Sequence, residues 1–127
     1  MDVRSQPYSR YVPHFNRQNL AGELVARGFT YIFMGDKLGG YPSEGEPPLT
    51  YKELESRENY RQGLEELLSL AAEKRTAIMC GEGDHRHCHR DKFITPGLLA
   101  RGARVLHIQP DGSLVDASEE PRQLPLF

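Results

Sequence analysis

The chain has 127 residues, enough for one domain with one core, and its formal charge of -2 gives no global attraction to nucleic acid or anionic lipid. No apolar run reaches membrane-spanning length, and Met1-Asp-Val-Arg4 opens neither a signal peptide nor a transit peptide, so a cytoplasmic protein with no membrane partner is expected. Two cysteines without an export signal point to a reducing compartment, and to thiols rather than a structural disulfide.

Asp2-Val-Arg4 reads as the end of a strand. Ser5 to Pro13 reads as a loop in which Arg4, Tyr8, Arg10 and Tyr11 interleave charge with aromatic rings. Such a loop either packs its tyrosines on the core or forms a rim that contacts phosphates and bases. His14 reads as a packed loop histidine. Asn16 is placed to cap a helix through about Arg27, with Leu20, Leu24 and Val25 on one face and Gly28 ending it. Phe29 to Met34 is short, β-branched and aromatic, and predicts a strand. Gly35 to Gly40 is the loop at its end. There Gly39-Gly40 reads as a turn, or as backbone that lets a ligand approach.

Tyr41 to Thr50, with three prolines, reads as a surface excursion. Arg57 to Lys74 carries Tyr60, Leu64, Leu67, Leu68 and Ala71 at helical spacing, a stripe that belongs to the core. Thr76 to Cys80 predicts a strand, and Phe93 to Arg101 a helix interrupted at Pro96-Gly97. Arg104 to Ile108 predicts a last strand, with His107 a core histidine, closed by a turn at Pro110-Asp-Gly112. Alternating helices and short apolar strands predict an α/β fold, a single layered domain with a largely parallel sheet flanked by helices. Its expected span is 1–116, followed by a flexible acidic tail over 117–127.

The densest chemistry lies in Cys80-Gly-Glu-Gly-Asp-His-Arg-His-Cys-His-Arg90, between a predicted strand and a predicted helix, where open α/β sheets hold ligands. Three chemistries are open to it. The spacing from Cys80 to Arg86 fits a phosphate-cradling thiolate loop, but Glu82 and Asp84 would repel the phosphate. Cys80, His85, His87, Cys88 and His89 offer zinc ligands, without the paired knuckles of a structural site. The third uses Glu82 as general base or hydroxyl-binding carboxylate, with His89 and Arg90 holding an anionic group. It is preferred because it employs the acids, and no metal is assigned.

Asp2-Val-Arg-Ser5, Pro13-His-Phe15, Leu38-Gly-Gly40 and Met79-Cys-Gly-Glu82 with Cys88-His-Arg90 together resemble the motifs of the bacterial and archaeal family catalogued as domain of unknown function 488, over about residues 2–108. The resemblance implies a compact α/β domain with its motifs at one end of the sheet, and implies no activity. It marks Arg4, Gly39, Gly40, Cys80, Glu82, Cys88, His89 and Arg90 as the site set; the chemistry of these residue types, not the resemblance, puts Cys80, Glu82 and His89 in the catalytic positions and the others on ligand or phosphate. It also implies a strand and helix upstream of Asp2, so Met1 is expected to fall inside the domain. At the other end, Gln123-Leu-Pro-Leu-Phe127 resembles the pentapeptide with which bacterial polymerases and repair proteins dock on the DNA sliding clamp. Gln123 would set register, and Leu124, Leu126 and Phe127 would fill an apolar pocket.

The expected function is therefore binding of, or action on, a nucleotide or nucleic acid in DNA replication or repair. The alternatives are a non-catalytic adaptor recruited to the clamp, then a zinc or thiol redox protein. Whether the chain is an enzyme, and which cofactor it takes, is unknown from these residues.

Overall fold

The computed structural model describes residues 1–4, 7–39, 51–81 and 90–118. It is a mixed α/β structure. A 3-10 turn over Pro13–Phe15 leads into α1 (Arg17–Ala26), and a short α2 (Gly35–Leu38) follows. Next come α3 (Tyr51–Glu55), α4 (Glu58–Glu73), a π-helical segment over Arg90–Ile94, and α5 (Thr95–Ala100). The antiparallel pair β1 (Leu106–Ile108) and β2 (Leu114–Asp116) closes the described chain.

Helix α4 organises the core. Tyr60, Gly63, Leu64 and Leu67 are buried along one face, at the i, i+3, i+4, i+7 spacing of an amphipathic helix. Leu68 is partly buried behind them, while Ala71 is exposed because the helix outruns the body it packs on. The same cluster takes in Val3, Met34, Leu38, Leu54, Ile94 and Leu98. Each such apolar side chain contributes about 1.5–3 kcal/mol by leaving water.

Pro96 does not interrupt the last helix. It sits in the first turn of α5, where a missing N–H costs nothing. The irregularity falls one step earlier, where the wider π turn ends and the Thr95 hydroxyl donates to the Arg90 carbonyl at 2.7 Å. Gly97 serves close packing: a Cβ there would lie 2.6 Å from both Leu64 Cδ1 and the Tyr60 hydroxyl.

The strands differ from expectation in length. Phe29 to Met34 and Thr76 to Cys80 are reduced to one bridge residue each, Phe33 and Met79, both paired in parallel with Asp2. Each bridge is held by a few backbone bonds. Asp2 N–H donates to Ile32 O and Met34 N–H to Asp2 O on one side, both at 2.8 Å. On the other side Val3 N–H donates to Met79 O at 3.0 Å and Met79 N–H to Met1 O at 2.9 Å, and the Met1 ammonium donates to Ala77 O at 2.7 Å. The expected last strand is β1, and the turn at Pro110-Asp-Gly112 leads into β2, a strand the sequence reading passed over. His107 is buried on the inward side, whereas Leu106, Ile108 and Leu114 are exposed on the other. Ala117, expected to begin the tail, is fully buried and donates its N–H to Val105 O at 2.9 Å.

The first helix also departs from its forecast. It spans α1 and stops at Gly28, whose φ of 87° suits a residue without Cβ. It buries none of its residues, however, and Val25 is exposed. Asn16 precedes α1 but makes no side-chain cap, because its Oδ1 accepts the Ser9 N–H at 2.6 Å. His14 is exposed, its ring tilted against Phe15 with centroids 4.3 Å apart.

Candidate functional site

Parallel pairing of Asp2 with Phe33 and Met79 brings three chain segments to a common end. Two residues beyond the pairing stand Arg4, Gly35 and Gly81. Gly35 is required there: a Cβ would lie 1.9 Å from the Arg4 carbonyl oxygen, closer than any packed contact allows. Helix α2 starts at Gly35, buries Leu38 against α4, and ends at Gly39, whose N–H donates to Gly35 O at 3.0 Å. Lys37 secures α2 to α4 through a 2.5 Å ion pair with Glu66.

An ionic cluster fills the same end. The Asp2 side chain is wholly buried, and its two oxygens take four hydrogen bonds. Oδ1 accepts from the Arg4 backbone N–H at 3.1 Å and from Arg4 Nε at 2.9 Å. Oδ2 accepts from Arg4 Nη2 at 2.9 Å and from the Tyr31 hydroxyl at 2.5 Å. Burial opposes the charge on Asp2, but the bonds from Arg4 and Tyr31 outweigh it and hold the carboxyl below its ordinary range. The Asp2 bonds likewise raise Arg4 above the usual guanidinium value. Burial first, and then the bond to the Asp2 carboxylate, push the Tyr31 hydroxyl far above an ordinary tyrosine. The result is a buried, fully satisfied carboxylate that fixes one edge of an arginine fork whose side chain remains 15% exposed. Next to it, the Arg17 guanidinium lies 4.0 Å over the Phe33 ring and pins α1 to the bridged segment.

Of the residues expected to form the site, Arg4 and Cys80 lie just past the bridged residues, and Gly39 lies at the far end of α2. Arg90 opens the π segment and is partly buried. Gly40, Glu82, Cys88 and His89 lie outside the described residues, as do Gln123, Leu124, Leu126 and Phe127. Cys80 is partly buried against the core and is disulfide-bonded, not the free thiol expected; the chain's other cysteine is Cys88. Composition indicates a compartment, whereas bond formation depends on proximity, which composition does not report. A nucleophilic role for Cys80 would require that bond to be reduced first.

The sequence reading missed Asp2 and Tyr31. The signal for Asp2 was present, since residues i and i+2 of an extended segment share a face and Asp2-Val-Arg4 therefore pairs its own charges. Tyr31 carried none, because its partner is 29 residues away. Among the described residues no group of three or more His, Cys, Asp or Glu side chains could hold a metal ion, and no helix is long and apolar enough to cross a membrane.

No curated protein and no solved structure matches the chain. The family model described as "Domain of unknown function DUF488" matches residues 1–94, a span that contains every bridged segment, the Asp2–Arg4–Tyr31 cluster and the stretch from Cys80 to Arg90. It leaves out α5, the β1–β2 hairpin and the tail. The chain belongs to the DUF488 family.

Proposed function

We propose that this protein binds a nucleotide or nucleic acid at the end of its bridged segments, in the cytoplasm, and is brought to replication or repair sites by the sliding clamp. The observation that carries the reading is the immobilised guanidinium of Arg4. Asp2 holds its Nε and Nη2 edge and Tyr31 packs in the same cluster; the part of the side chain that stays exposed would meet a phosphate oxygen. An arginine fixed before the ligand arrives loses less entropy on binding than a mobile one. Glu82, His89 and Arg90, with Gly39 and Gly40, are the other residues proposed for the site. The parallel bridges at Asp2 fit the centre of a largely parallel sheet, whose strand ends are the usual place for such a ligand. Thiolate chemistry at Cys80 would need its disulfide reduced first, whereas binding at Arg4 needs no change at Cys80. Residues 123–127 supply the clamp docking segment, presenting Leu124, Leu126 and Phe127 with Gln123 in register.

Calorimetric titration with a nucleoside monophosphate and with inorganic phosphate tests the site. The wild type should bind the nucleotide, and Arg4→Lys, which keeps the charge but loses the fork, should weaken it about tenfold or more. No heat from either ligand at about 1 mM, a weak-binding concentration, would refute the site. A peptide of residues 117–127 titrated against purified clamp tests recruitment, which falls if no binding appears at the same concentration.

A further inference from the structure

The loop before α1 has no part in the cluster at Asp2, yet it is built with equal care. Pro7 is fully buried and anchors its start. Its carbonyl accepts the Arg17 N–H at 2.9 Å, so the loop closes onto the first turn of α1. Ser9 N–H donates to Asn16 Oδ1 at 2.6 Å, and the Ser9 hydroxyl oxygen accepts the N–H groups of Tyr11 at 3.1 Å and Val12 at 3.3 Å. Asn19 Nδ2 donates to Pro13 O at 2.8 Å. Five bonds thus brace a segment of about ten residues whose aromatic rings are not buried. Tyr8 is 67% exposed, Tyr11 89% and Phe15 49%. A loop that covered the core would turn these rings inward. This one is held in shape with its rings outward.

Charge singles out the same stretch. The whole chain is net negative, yet from Val3 to Gly22 there is no carboxylate, and Arg10 and Arg17 add two positive charges beyond Arg4, whose own charge is paired with Asp2. Beside the loop runs an open depression along α1, lined by His14, Gln18, Asn19, Gly22 and Glu23. Glu23 is the first acid after Asp2, and its charge is matched by Arg27 at 3.5 Å.

We infer that the Tyr8–Arg17 loop is a stacking platform for single-stranded nucleic acid, with bases against Tyr8, Tyr11 and Phe15 and phosphates beside Arg10 and Arg17. Aromatic rings interleaved with arginines, in a stretch of chain free of acids, suit an unpaired strand; a duplex keeps its base faces stacked inside. The inference rests on the nucleic-acid reading above and extends it from a single phosphate site to a polymer track.

The test is fluorescence anisotropy of the full chain with a labelled oligothymidylate about twelve nucleotides long, within the usual site size for such surfaces, at about 50 mM salt. Binding to the single strand should exceed binding to a duplex of equal length. Tyr11→Ala should weaken it by about five-fold to a hundred-fold, with Tyr11→Phe near wild type. Arg10→Ala should lower the salt slope by about 0.7, the value for one phosphate on a single strand. Thermal melting of each variant identifies any that fail to fold. Because Tyr11 is so exposed, its variants should melt with the wild type. Absence of single-strand binding at about 0.1 mM protein, or a Tyr11→Ala variant that binds unchanged, overturns the inference. So does a sedimentation result in which Tyr11→Ala converts a dimer to a monomer, since the rings would then face a second copy. If the mononucleotide binds and the oligonucleotide binds no better, the platform fails while the Arg4 site stands. If only the oligonucleotide binds, the reverse holds.

Discussion

Helices α4 and α1 lie at opposite ends of one scale. Helix α4 buries Tyr60, Leu64 and Leu67 on a continuous face, whereas α1 buries nothing and the loop before it leaves its rings in solvent. Apolar burial holds α4. The α1 region is held by directional contacts: the Ser9–Asn16, Arg17–Pro7 and Asn19–Pro13 bonds and the Arg17–Phe33 stack. Burial supplies stability in bulk but hides the side chains that provide it. Hydrogen bonds give less net free energy each, about 1 kcal/mol, and leave neighbouring rings available. The two regions accordingly differ in what holds them: apolar burial in one, directional bonds around exposed rings in the other.

The sharpest way to break this contrast is substitution on each side of it. Leu64 is fully buried, so Leu64→Ala should cost about 4 kcal/mol in chemical denaturation, within the range for buried leucines. Asp2→Asn comes next. It leaves the Arg4 fork facing a neutral amide, and should cost about 3 kcal/mol near neutral pH. The same variant sharpens the pH dependence. The folded carboxyl of Asp2 is held below its unfolded value, so its contribution is present above about pH 4 and is lost as the pH falls below that. Wild-type stability should therefore drop with acid in that window, and Asp2→Asn should drop less. Tyr31 is raised instead. Its contribution is present below about pH 10 and lost as the pH rises beyond it, and Tyr31→Phe should flatten that alkaline limb. Gly35→Ala should cost about 2 kcal/mol, as overpacking does, because the new methyl meets the Arg4 carbonyl. Val25→Ala on α1 should stay within about 0.5 kcal/mol. If Val25→Ala rivals Leu64→Ala, α1 is core and the contrast is wrong.

How far the sequence reached follows the same line. The stripe on α4 was legible because burial and helical period coincide there. The stripe of Leu20, Leu24 and Val25 had the right spacing too, but spacing reports that residues share a face, not that anything packs on it. Pro96 was read as a break because proline is unfavourable inside helices, yet its position within the first turn removes the penalty. The paired segments at Phe33 and Met79 were located correctly and drawn too long, since ladder length depends on a partner distant in sequence. In the ionic cluster, the place of Arg4 just past a paired residue was legible. Its fixing by Asp2 and Tyr31 was not, because half of that cluster is a contact across 29 residues.

The pairing of Asp2 has a consequence for the order of assembly. Residues 1–3 are hydrogen-bonded to residues 32–34 on one side and 77–79 on the other. During synthesis these early residues must wait until Met79 has been made before both of their neighbours exist. Closing so wide a loop is entropically costly and slow compared with forming α4, whose contacts are local. Helix α4 is therefore positioned to form first and gather the chain. The segment that carries Asp2 and Arg4 is expected to lock after it, an order that φ-values at Leu64 and Val3 would test.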